Sequence, residues 1–121
     1  MKLNVDASFS LDDEVGATGA VIRDDRGFFI AGSNCGLAHV LDASMAEARA
    51  LRDGLILAGQ AGCPKILVNS DCMEVIAIMN DGGNSAGPAA AIYEECTFLL
   101  GFFRSLSSST LLGRVTRWLM F

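Results

Sequence analysis

Histidine is nearly missing from the chain. The single one, His39, has no partner at ligand spacing, which argues against a nitrogen-ligated zinc site. The four cysteines, Cys35, Cys63, Cys72 and Cys96, form no CxxC pair, so reduced thiols are expected over a disulfide framework or a zinc site. Basic residues are also sparse: 9 Lys and Arg stand against 14 Asp and Glu, a formal net charge of −5 at pH 7. That balance argues against a strong nonspecific hold on phosphates, which Lys and Arg dominate. No apolar run reaches membrane-spanning length, since "CTFLLGFF" is broken by Arg104 and a serine run. No basic-then-apolar leader opens the sequence. We therefore expect a protein of the cytoplasm or nucleus that is neither secreted nor held in a membrane, and a monomer.

What is present is a chain of 121 residues with 51% apolar content, enough for one globular domain with a real core. "KLNVDAS" alternates Leu3, Val5 and Ala7 with Asn4, Asp6 and Ser8 and reads as a strand with one apolar face. A flexible stretch, "SLDDEVG", precedes a second strand, "ATGAVIRDD". "DDRG" is a hairpin signal with Gly27 at the turn, so the third strand, "FFIAGS", is expected antiparallel to the second. From Asp42 the period becomes helical, with a start at Ser44 and a stop at Gly62 before Pro64. "KILVNSD" follows as a strand expected to be buried on both faces. "CMEVIAIMND" is a helix ending at Gly82–Gly83, and "AAAIYEECTFLLGFF" a third helix with Ile92, Cys96, Leu99 and Phe103 inward. The order implies an α/β domain: a mixed sheet of three antiparallel strands and a parallel one, with helices packed on it.

Three acids attract attention. Asp6 lies mid-strand, Glu47 near a helix start, and Asp71 at a strand end, where sites in such sheets gather. Each has a structural explanation. Asp6 can be a satisfied polar strand residue, Glu47 the far end of a Ser44–Glu47 capping box, and Asp71 the cap of the next helix. Against the capping box, Glu47 shares a helical row with Leu51, Gly54 and Ala58, the inward row, while Arg49, Arg52 and Asp53 are expected to point outward. Three carboxylates together repel one another unless cations compensate. All-oxygen ligation suits Mg²⁺ or Mn²⁺, and a pair of such ions can serve both sides of a phosphodiester. Glu74 and the Glu94–Glu95 pair are expected to be solvated helix acids, and His39 a loop residue.

The blocks "LNVDAS", "GATGAVIRDDRGFFIAG", "SMAEARALRDGL" and "ILVNSDCMEVI" resemble, in order and spacing, type 1 ribonuclease H, and specifically the plant ribonuclease H-like modules associated with reverse transcriptases. The likeness covers roughly residues 2–105. It implies a five-stranded ribonuclease H-like mixed sheet flanked by helices, and metal-dependent cleavage of the RNA strand of an RNA–DNA hybrid. It places the catalytic and metal-binding acids on Asp6, Glu47 and Asp71, with Ala7 and Ser8 beside the RNA ribose, where the 2′-hydroxyl distinguishes RNA.

The tail departs from the family. Members carry a final segment of the form "REaN..AD" or "REaN..AH", whose last residue joins the metal site, whereas no acid follows Glu95 here. Codons compatible with "LGRVTRWLMF", read one base upstream, yield "TRESNKVAH". We therefore divide the chain into a ribonuclease H-like domain, 1–105, and a divergent tail, 106–121, read as a frameshifted or mispredicted form of that segment. Trp118 and Phe121, in this tail, are expected to be exposed apolar surface. The start at "MKLNVD" suggests a fragment of a longer parent that carried basic recruitment surfaces. Activity weakened by loss of the fourth ligand is the first expectation. A noncatalytic hybrid-binding remnant of a retroelement module is the alternative, and a small-molecule or redox protein using the cysteines has no spacing in its favour.

Overall fold

Alternation along the first strand sets the architecture. The computed structural model describes residues 1–10, 12–39, 42–63, 65–103, 110–112 and 117–120, the last two stretches as backbone. β1 (Lys2–Ser10), β2 (Val15–Arg23) and β3 (Phe29–Leu37) form an antiparallel meander in which Leu3 pairs with Ile22 and Val5 with Ala20. All four of those side chains are buried, so one face of the meander is the core face. α1 (Ala43–Gln60) then crosses the sheet, and β4 (Leu67–Ser70) returns parallel to β1. α2 (Met73–Asn80) and α3 (Ala90–Leu100) follow. Backbone segments β5 (Thr110–Leu112) and β6 (Arg117–Met120) complete the sheet order β3-β2-β1-β4-β6-β5.

The mixed sheet of three antiparallel strands and a parallel fourth is as expected, but its strands differ in detail. β1 and β2 extend into the stretch expected to be flexible, leaving only a tight connection that includes Asp12–Glu14, with Glu14 at φ +52. β3 runs on to Leu37, because the whole of β2 is available to pair with it. β4 is four residues long and buried on one face only: Val68 and Ser70 are buried, Leu67 and Asn69 half-buried. The expected five strands are six, since two short strands lie beyond β4, and β6 pairs with β4 antiparallel. The side chains of Trp118 and Phe121 lie outside the described residues.

The turns follow their chemistry. Asp24 Oδ1 accepts from the backbone N–H groups of Arg26 and Phe28, each at 2.9 Å, and Gly27 takes φ +87, which closes the β2–β3 hairpin. α1 ends as its glycine predicts: Gly62 sits at φ +74, the Gly62 N–H donates to the Gly59 carbonyl and the Cys63 N–H to the Ala58 carbonyl.

One apolar cluster joins Leu3, Val5, Ile22 and Val68 of the sheet to Leu51 and Leu55 of α1, Val75 and Ile76 of α2, and Tyr93 and Cys96 of α3. Among the described residues the helices thus cover one face of the sheet. Gly54 lets α1 seat closely on β1: a methyl group there would lie 2.6 Å from Val5 Cγ1. That seating brings the N-terminal turn of α1 to the end of the sheet where Asp71 follows β4.

Candidate functional site

β1 turns Asp6 away from the core, as its alternation requires. Its carboxylate is exposed, and Oδ1 accepts from the Ala7 N–H at 2.9 Å. A shallow depression beside it is lined by Asp6, Ala7, Ser8, Ala17, Thr18 and Gly19. Ser8 is exposed within it, while the half-buried Ala7 methyl packs toward the core.

Glu47 lies in the first turns of α1, and the structure does not realise the capping box. The N-cap is Asp42, whose Oδ1 accepts from the Met45 N–H at 2.7 Å, so the helix begins earlier than Ser44. Aspartate in extended backbone outcompetes the serine two positions on, because its oxygen already reaches the orphan amides. Glu47 is thereby free of any capping duty. Its Oε2 is buried without a hydrogen-bond partner among the described residues. Burial foremost, and then the charges of Asp6 and Asp71, together raise the carboxyl from its ordinary 4.5 to about 7.

Asp71 follows β4 directly and is exposed. It does not cap α2: the N-cap is Cys72, which makes no side-chain cap bond, and the Cys72 N–H donates to Ser70 Oγ at 3.1 Å. The structural explanations for Glu47 and Asp71 are therefore both unfilled.

The fold brings Asp6 and Asp71 each within electrostatic reach of Glu47. Among the described residues no three His, Cys, Asp or Glu side chains stand close enough to hold a metal ion as they are. The donor set nevertheless fits a hard divalent cation. It is all oxygen, and its central member has a buried, unpartnered oxygen whose proton affinity is raised by burial and by the two neighbouring negative charges.

Other residues depart from expectation. Arg52 and Asp53 do not face solvent: both are half-buried, Thr18 Oγ1 donates to Asp53 Oδ2 at 3.1 Å, and Arg52 reaches Glu95 at 3.5 Å. Arg49 is also half-buried, and its Nε has no partner among the described residues. The inward stripe of α1 is wider than one row, because β2 and α3 flank the helix on both sides. Glu94 and Glu95 are exposed, His39 is a bend residue at φ +58, and all four cysteines are free. Glu74 is exposed in the first turn of α2, but it also accepts a hydrogen bond from Ser44 Oγ at 2.9 Å. Sequence reasoning missed that bond and the complete burial of Tyr93. The first joins separate elements and leaves no local pattern; the second was legible, since Tyr93 lies three positions before Cys96.

Residues 4–110 match the model of the reverse transcriptase-like family. Among solved structures, RNase H1 from the halophilic archaeon Halobacterium salinarum is similar at 19% identity and a TM-score of 0.77, over 84% of this chain and 77% of that one. The N-terminal RNase H domain of a Mycobacterium tuberculosis protein, solved as a fusion with maltose binding protein, is similar at 23% identity and a TM-score of 0.74, over 85% of this chain and 76% of that one. These likenesses extend to the fold, a ribonuclease H-like mixed sheet. Comparison with curated proteins gives no significant match.

Proposed function

Because the chain belongs to the reverse transcriptase-like family, we propose that it hydrolyses the RNA strand of RNA–DNA hybrids in a metal-dependent reaction at Asp6, Glu47 and Asp71. The observation that carries this reading is Glu47. It is a half-buried carboxylate with an unpartnered oxygen, acted on by two further acids that have no capping role.

Asp6, Glu47 and Asp71 would hold Mg²⁺ or Mn²⁺. Such an ion supplies a Lewis acid that activates water and stabilises the leaving oxygen of a phosphodiester. Glu47 contributes a carboxylate that burial keeps from water, so it exchanges its proton for a cation readily near neutral pH. Asp6 is oriented by the Ala7 amide, which leaves its second oxygen for the ion. Ser8 offers a hydroxyl within the depression, suited to an RNA 2′-hydroxyl, and Ala17 and Gly19 keep its floor low enough for a sugar to approach. The acidic surface around the site disfavours phosphate on its own.

A hybrid with labelled RNA, incubated with Mg²⁺ or Mn²⁺, tests the proposal. Wild-type protein should cut the RNA strand, and Asp71→Asn should not. Binding without cutting in either metal favours the second reading, a noncatalytic hybrid-binding remnant. One observation favours that reading: the lack of a closed three-ligand group among the described residues. We further propose that the module derives from a plant retroelement and works in cytoplasm or nucleus as a monomer. We also propose that residues 106–121 are a frameshifted or mispredicted form of the family's last segment. Sequencing the transcript through that region decides the last point: a frame continuous with the ancestral one contradicts it.

A further inference from the structure

Ser44 and Glu74 hold together the two helix starts that carry the site. Ser44 lies in the first turn of α1, on the same side as Glu47, and Glu74 lies in the first turn of α2, three positions after Asp71. Ser44 Oγ donates to Glu74 Oε1 at 2.9 Å, a charge-assisted bond between residues far apart in sequence. The start of α2 is otherwise held by the Cys72 N–H bond to Ser70 Oγ and by the buried Val75 and Ile76, none of which ties it to the start of α1 as the Ser44–Glu74 bond does. Near the bond lies the fully buried Tyr93, whose hydroxyl interacts with Ser44 without reaching full hydrogen-bond geometry. Its ionisation is pushed up by burial foremost and then by the charges of Glu74 and Cys72, against a lowering contribution from Ser44, so the phenol is close to the first turn of α2 and to Ser44.

We infer that the Ser44–Glu74 hydrogen bond sets the separation of Glu47 and Asp71, so that both residues are positioning residues for the cation site without touching substrate. This rests on the reading of Asp6, Glu47 and Asp71 as that site. The bond works as a strut: Ser44 sits one turn before Glu47 on α1, and Glu74 in the first turn of α2 follows Asp71 at the β4–α2 junction, so losing it lets that junction drift relative to α1 and widens the site. Glu74 also adds negative charge nearby, and the test must separate that charge from the hydrogen bond.

Mn²⁺ binding to the full chain without nucleic acid, followed by electron paramagnetic resonance, gives a readout independent of turnover. Wild-type and Asp71→Asn proteins are compared first, then Ser44→Ala, Glu74→Ala and Glu74→Gln, with melting temperature as the check on folding. Ser44→Ala and Glu74→Ala should each weaken Mn²⁺ binding roughly tenfold, as losses of residues supporting metal ligands do. Glu74→Gln keeps an acceptor for Ser44 and should bind within about twofold of wild type, an expectation that follows from retaining the bond. On the hybrid, the same two alanine variants should lower kcat with KM little changed. Wild-type protein that takes no Mn²⁺ sensitive to Asp71→Asn overturns the site and the strut together. Mn²⁺ bound normally by Ser44→Ala overturns the strut alone. So does equal loss in Glu74→Gln and Glu74→Ala, which would mean that Glu74 acts only through its charge.

Discussion

Asp53 and Glu47 stand on the same helix, both half-buried against the same sheet, yet their surroundings are opposite. Asp53 accepts a hydrogen bond from the buried Thr18 hydroxyl and has Arg52 at 3.5 Å. Glu47 has a buried oxygen with no partner among the described residues, and two acids rather than a base for electrostatic neighbours. The fold can therefore satisfy a carboxylate on α1, and does so where only structure is at stake. At the end of the helix facing β1 and Asp71 it leaves one unsatisfied. Leaving a buried acceptor unmade costs about 1–3 kcal/mol, so the contrast calls for a ligand that restores the balance.

Exchange of charge for amide at the two positions gives the largest expected difference. Glu47→Gln should reduce metal-dependent hybrid cleavage by roughly 10³-fold, in line with the loss of a group that stabilises transition-state charge. Asp53→Asn should leave it within about twofold, as expected of a residue away from the reacting groups. Single-turnover rates on a labelled hybrid check both, and equal losses would erase the distinction. Gly54→Ala attacks the seating that both acids share. Its methyl would meet Val5 Cγ1 at 2.6 Å, and overpacking of this kind should destabilise the protein by about 2 kcal/mol in denaturant titration.

The smaller predictions concern stability at the two carboxylates separately. Asp53→Ala strands the Thr18 hydroxyl and should cost about 1–2 kcal/mol. Glu47→Gln should do the reverse. The unfolded chain ionises this residue near 4.5, whereas the folded chain holds its proton until about 7. Stability from this group is therefore lost as pH rises between those values and stays lost above them. Glutamine carries no such penalty. In metal-free buffer Glu47→Gln should thus gain about 1 kcal/mol over wild type at pH 8, a figure discounted for partial solvent exposure, and almost nothing at pH 4. Urea titrations at the two pH values check the sign, and a loss at pH 8 would show that Glu47 has a partner after all.

How much of this was legible in the sequence depends on how local the cause is. The turn at Asp24–Gly27, the glycine stop at Gly62 and the inward row through Leu51, Gly54 and Ala58 each follow from chemistry within a few residues, and each is found. The helix start was misjudged because Asp42 and Ser44 are both good caps, and which one wins depends on the backbone leading in. Asp53 was misplaced because a helical wheel knows nothing of Thr18 on β2. The acids themselves were visible as residues, but the unpartnered state of Glu47 is a property of three elements packed together.

The most direct test is a carboxyl ¹³C titration of Glu47 by NMR, with and without Mg²⁺. The account predicts a midpoint near 7 in the metal-free protein, falling when Mg²⁺ is added as the cation takes the place of the proton. A midpoint at the ordinary value for glutamate, unmoved by Mg²⁺, would contradict it.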